Sequence, residues 1–190
     1  MKSLRPITRI LVALSAITLI ATLFVPLWQI LMWAPQYPEG LEMKIWHNTL
    51  TGEVRTISAL NHYIGMKTIE VGMFPEFGYI RYIIWFVIAF GVVSAIVNKR
   101  FMLIAFLTFI LAIGVGALID FYLWGYDYGH NLNPEAPIVI PGMSYQPPLI
   151  GTKQLLNFTA FSGPDIGGWI FIGVGALLFL LLVYEWKKNK

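Results

Sequence analysis

The chain has 190 residues, 57% hydrophobic and only 12% charged, with mean hydropathy +0.69 and formal net charge +3. A soluble domain carries about 25% charged residues, so a globular water-facing surface is excluded, and cations beside apolar runs do not read as nucleic-acid affinity. With no cysteine present, disulfides, thiolate catalysis, zinc–thiolate sites and attached c-type haem are excluded as well.

Four apolar runs, residues 10–33, 78–97, 101–124 and 168–186, follow one another along the chain. Each approaches or exceeds the ~20 residues that cross a ~30 Å hydrocarbon core as a helix. In lipid a helix keeps every backbone hydrogen bond inside its own run. The expectation is an all-α membrane protein: one membrane domain of four transmembrane helices, with ordered outer loops at residues 34–77 and 125–167.

The first run has a basic start and an apolar middle, like a signal peptide. It is longer than the ~7–15 residues of a signal core and no small-x-small site follows, so it reads as an uncleaved anchor. Pro26 is expected to kink it, and Trp28 and Trp33 to anchor its outer end. In the loop that follows, residues 54–60 read as a short strand beyond the turn at Thr51-Gly52.

Arg81 opens the second run and Asp120 closes the third, both about one turn inside the outer face. Charges at that depth pair or line a cavity, so an Arg81–Asp120 ion pair is expected. The sequence Gly-Val-Gly-Ala-Leu occurs at 114–118 and again at 173–177, a small-residue signal for close helix packing. The second loop is stiffened by Pro134, Pro137, Pro141, Pro147 and Pro148, and residues 153–161 read as a short interfacial helix. Ile64-Gly65-Met66-Lys67 is faintly echoed by Ile150-Gly151-Thr152-Lys153.

Orientation follows from Lys and Arg. Lys2, Arg5, Arg9, Lys99, Arg100, Lys187, Lys188 and Lys190 make eight of the 13 basic residues, all on one side. The positive-inside rule puts both termini in the cytoplasm and both loops outside.

Chemistry then has only the loops to occupy. His47, His62 and His130 lie there with Met43, Met66 and Met143. Thioether and imidazole together suit Cu(I) when no thiolate is available. His62 and Met66 stand four apart, a spacing that shares a face in helix or strand; Met43 and His47 repeat it in reverse. The plainer reading is that Met fills gaps and a loop His makes surface hydrogen bonds. Asp127, Asn131, Asn133 and Glu135 form an oxygen-rich run without the spacing of a calcium loop. A membrane enzyme using Asp120, Asp127 and His130 is a third possibility, but no known catalytic motif appears. No run contains a histidine, which excludes a bis-His haem within the bilayer.

The segments Ala34-Pro35-Gln36-Tyr37-Pro38-Glu39-Gly40-Leu41, Leu60 to Met66, Asp127-Tyr128-Gly129-His130-Asn131 and Pro141 to Leu149 carry a resemblance across nearly the whole chain. They resemble a family of small bacterial membrane proteins found with genes for nitrous oxide reductase and its copper-delivery machinery, mainly in Bacteroidetes. The resemblance implies an accessory protein for a multicopper enzyme, in the bacterial inner membrane and facing the periplasm, with nitrous oxide reductase or its copper-delivery proteins as partners; the chain itself is not expected to be an enzyme. It supplies no ligands. The expected function is Cu(I) handling by His62 and Met66, completed by His130, Met143, His47 or Met43. The alternative is a metal-free scaffold that docks a periplasmic enzyme or an electron-transfer complex.

Overall fold

The computed structural model describes residues 3–187. Helix α1 (Pro6–Thr18) starts on a proline, whose missing N–H is one that a first helical turn leaves unpaired anyway. It tightens into a 3₁₀ segment over Leu19–Leu23 and stops. Pro26 has no N–H and disfavours helix at the residue before it, so the apolar run splits there. Beyond the break the chain is strand β1 (Trp28–Ala34). Ile30, Met32 and Ala34 are buried while Trp33 is 37% exposed, the alternation of a half-buried strand.

Strands β2 (Tyr37–Ile45) and β3 (Leu50–Gly52), helix α2 (Val54–Tyr63) and helix α3 (Ile80–Val97) follow. Helix α4 (Arg100–His130) leads to strands β4 (Gly151–Leu155) and β5 (Phe158–Pro164), and α5 (Ile166–Lys187) closes the chain. The five strands form one antiparallel sheet in the order β3-β2-β1-β5-β4. Its central pair runs from Trp28 opposite Pro164 to Trp33 opposite Thr159. Since β1 follows α1 directly and β5 precedes α5, this pair joins the two loops into one outer domain.

The all-α expectation is therefore overturned: the protein is mixed α/β, five helices with a five-stranded sheet. Two local readings fall with it. Residues 54–60 are helical, within α2, because Val54, Ile57 and Ser58, three and four apart, turn to the core while Arg55 stays exposed. Residues 153–161 belong to the β4–β5 hairpin, where Ala160 and Ser162 face inward at the strand period of two.

Among the described residues four helices are long and apolar enough to cross a membrane: Pro6–Leu23, Ile80–Val97, Arg100–His130 and Ile166–Lys187. Their outward residues, such as Ile96 at 65% and Leu180 at 62% exposure, are apolar, as lipid-facing positions must be. The chain is a membrane protein. Inside the bundle Val12, Ala16, Val87, Leu103, Phe106 and Leu178 form the core. The tightest crossing is at Gly91, where an added Cβ would lie 2.7 Å from Ala16 Cβ and 2.6 Å from Phe106 Cζ. The repeated Gly-Val-Gly-Ala-Leu contributes less: Gly175 faces Ile110, but Gly114, Gly116 and Gly173 have nothing within 4 Å.

The expected Arg81–Asp120 ion pair does not form. Arg81 folds back over the Tyr82 ring, 4.9 Å from its centroid, and donates to the Tyr82 hydroxyl at 2.9 Å. Both charges are exposed, so water at the bundle rim solvates each and neither requires the other.

Candidate functional site

Helix α4 has 31 residues, about 46 Å at 1.5 Å per residue, roughly 16 Å more than a hydrocarbon core. Its last turns therefore stand clear of the bundle and carry the outer domain. Their inner side is a column of rings. Trp28 meets Phe121 edge-on at 5.7 Å, Phe121 stacks on Trp124 at 5.7 Å, and Trp124 stacks on Tyr128 at 4.8 Å. Spacings of three and four put these rings on one helical face. With Ile30, Met32, Leu41, Met43, Ile57 and Met66 they make the second core, between the sheet and the helices.

Helix α2 ends beside this column by a specific device. Gly65 has φ +86°, its N–H reaches the His62 carbonyl at 3.0 Å, and the Met66 N–H reaches the Asn61 carbonyl at 3.1 Å. This is a Schellman stop. It leaves His62 exposed on the last turn and folds Met66, 4% exposed, under the helix into the core. The chain after α4 then wraps the stop: Asn133 N–H donates to the Gly65 carbonyl at 2.7 Å and Ile138 N–H to the Tyr63 carbonyl at 3.0 Å.

Between these two segments lies an open groove of about 420 Å³, lined by His62, Gly65, Met66, Lys67, Thr68, Asn131, Leu132 and Asn133. Lys67 Nζ pairs with Asp127 Oδ2 at 2.7 Å, and the Asn131 amide donates to the other Asp127 oxygen. The groove is thus a junction of both outer loops, tied by one salt bridge and several backbone bonds.

Of the six candidate ligands, the fold brings His62 and Met66 to this groove and the others elsewhere. His130 is the last residue of α4, next to Asn131. Its ring stacks on Tyr126 at 4.0 Å, and Nδ1 lies 2.9 Å from the Tyr126 carbonyl. A carbonyl can only accept, so in the neutral ring Nδ1 carries the proton and Nε2 the lone pair. Met43 is 2% exposed on the inner face of β2, and Met143 is exposed on a turn that does not line the groove. His47 lies just beyond Ile45, which pairs with Trp28 at the membrane end of the sheet, and does not line the groove. Burial, and then the charge of Arg81, hold its pKa below the ordinary 6.5. Among the described residues no group of three or more His, Asp or Glu is arranged to hold a metal ion. The oxygen-rich run is already spent internally, Asp127 on Lys67 and Asn131, and Asn133 Oδ1 on the Glu135 N–H.

Sequence reasoning missed the tie between Lys67 and Asp127, and it named Asn131 only as part of the oxygen-rich run. The signal for Asn131 was present, four residues after Asp127 on one helical face. Lys67 and Asp127 come from different loops, and nothing local pairs them. Comparisons with protein-family models, curated proteins and solved structures give no match.

Proposed function

We propose that the protein is a membrane-anchored accessory subunit, whose outer domain docks a periplasmic enzyme or electron-transfer complex, nitrous oxide reductase foremost among them. The observation that carries this reading is an apolar run at the membrane-distal end of the domain. Ile138, Val139 and Ile140 are 48%, 53% and 41% exposed, with Met143 at 40% beside them. The backbone bonds from Asn133 and Ile138 hold this run at the level of the α2 stop and the end of α4. That level is about 16 Å beyond the hydrocarbon core, so lipid does not cover it. Pro137 and Pro141 fix the backbone φ at its two ends. A contiguous apolar surface kept away from both core and bilayer fits a protein partner. With both termini cytoplasmic, as the Lys and Arg distribution favours, the run faces the periplasm.

The test uses the full chain in nanodiscs and purified nitrous oxide reductase. The wild type retains the enzyme, and Val139→Asp, a charge on an exposed position, weakens retention about tenfold or more. Equal retention by both, or none by the wild type, counts against the reading.

A second reading, transient Cu(I) binding, is favoured by one observation. His62 and Met66 line the same groove, and His130, one residue from that groove, is already oriented as metal-bound imidazoles are, with Nδ1–H on a carbonyl and Nε2 open. The ion would be held by His62 and Met66, with His130 reaching in from beside the groove to complete the set, and soft thioether and imidazole donors select the cuprous ion. Cu(I) titration of the wild type against His62→Ala/Met66→Ala separates the readings: stoichiometric binding lost in the variant supports copper, and equal weak binding by both removes it.

A further inference from the structure

At the bundle end opposite the sheet, several cations collect among the described residues. Glu185, 1% exposed, is committed there to the first turn of α1. It accepts the Thr8 hydroxyl at 2.6 Å and the Arg5 backbone N–H at 3.1 Å. The salt bridges among the described residues, Lys44–Glu42 and Lys67–Asp127, are both in the outer domain. Arg9, Lys99, Arg100 and Lys187 therefore have no described carboxylate within 4.0 Å. Arg9 turns its Nε–H to the Ala95 carbonyl at 2.9 Å. Lys99 precedes α4, Arg100 begins it and Lys187 ends α5 beside it.

Arg100 is the centre of this cluster. Its guanidinium lies over the Trp186 ring, 5.2 Å from the centroid. Its Nε and Nη2 are shielded by the protein yet have no hydrogen-bond acceptor. Buried donors are nearly always paired, so an acceptor is missing from this corner. Arg100 as a whole is only partly buried, so a turn of its side chain brings the shielded fork to an incoming group. The planar fork of a guanidinium matches the oxygens of a phosphate. Trp186, 54% exposed, stands where aromatic side chains mark the headgroup level.

We infer that Arg100, with Lys99 and Lys187 at its sides and Trp186 beneath it, binds the phosphodiester of an anionic phospholipid between the start of α4 and the end of α5. A free phosphate offers the same oxygens. The lipid is favoured because the site lies on the rim of the bundle, where acyl chains continue along the apolar outer faces of α4 and α5. Basic pockets between helices at this level take anionic headgroups. The bound phosphate supplies the acceptor that Arg100 lacks and pins the tight α3–α4 turn to the end of α5.

The full-length protein in neutral detergent is titrated with phosphatidylglycerol, phosphatidylcholine or inorganic phosphate, and retention and thermal midpoint are read by native mass spectrometry and thermal unfolding. Phosphatidylglycerol is retained and raises the midpoint, since a ligand bound only by the folded state stabilises it; the other two do neither. Arg100→Gln weakens phosphatidylglycerol retention by about fivefold, as expected for one cation at a membrane surface. Lys99→Gln/Lys187→Gln, which leaves the Arg100–Trp186 contact alone, weakens it further and serves if Arg100→Gln does not fold. Equal retention of both lipids, or full retention by the double variant, overturns the site. A response to inorganic phosphate equal to that of the lipid reassigns it to a soluble anion and overturns the lipid proposal.

Discussion

His47 shows how one side chain reports on its surroundings. Its Nδ1 is shielded and without a partner, and burial followed by the charge of Arg81 lowers its pKa from 6.5. The unfolded chain, with the ordinary value, takes up the proton more readily than the folded one. Stability from the neutral ring is thus complete above about pH 6.5 and is lost as pH falls from there through the folded value. The thermal midpoint should drop between about pH 7 and pH 5 in the wild type and drop less in His47→Gln. Parallel curves for the two proteins would show that the ring is not the titrating group. At the same scale, the His62/Met66 spacing was legible but its consequence was not. Four residues share a face in a helix or a strand, yet the chain between them continues neither, because Gly65 reverses it. Met66 ends up in the core and His62 outside, and they meet only along the wall of a groove.

Among the elements, the α2 stop has the clearest single-residue control. An alanine at Gly65 would hold a left-handed backbone and bring its Cβ to 2.9 Å from the Asn133 carbonyl oxygen. The backbone alone costs about 1–2 kcal/mol. Gly65→Ala should lower the stability of the outer domain by at least that amount and speed protease cleavage after residue 130, while the bundle stays helical by circular dichroism. Unchanged protease resistance would mean that the stop does not organise the loop after α4. The elements also show where apolar pattern is ambiguous. The run 10–33 satisfied every length criterion for one helix, and Pro26 divided it into a span and a central strand. Residues 153–161, read as a short helix, pair as a hairpin because β1 offers an edge.

For the whole molecule, the arrangement of four spans makes a topological statement that the absence of cysteine renders easy to check. A single cysteine replacing Asn157, at the tip of the β4–β5 hairpin, should react in intact cells with an impermeant maleimide. One replacing Lys187 should react only after permeabilisation. Reversed labelling would turn the protein over and place the apolar run on the cytoplasmic side. Membrane character and the number of crossing helices were determined by sequence alone, because transfer from water to lipid sums over local composition and needs no distant partner. The sheet, the groove and the fate of each candidate ligand were decided only by tertiary structure. Trp28 finds Ile45 and Pro164, and Lys67 finds Asp127, across gaps that no local pattern encodes, and β-pairing yields its hydrogen bonds only once those distant segments have met.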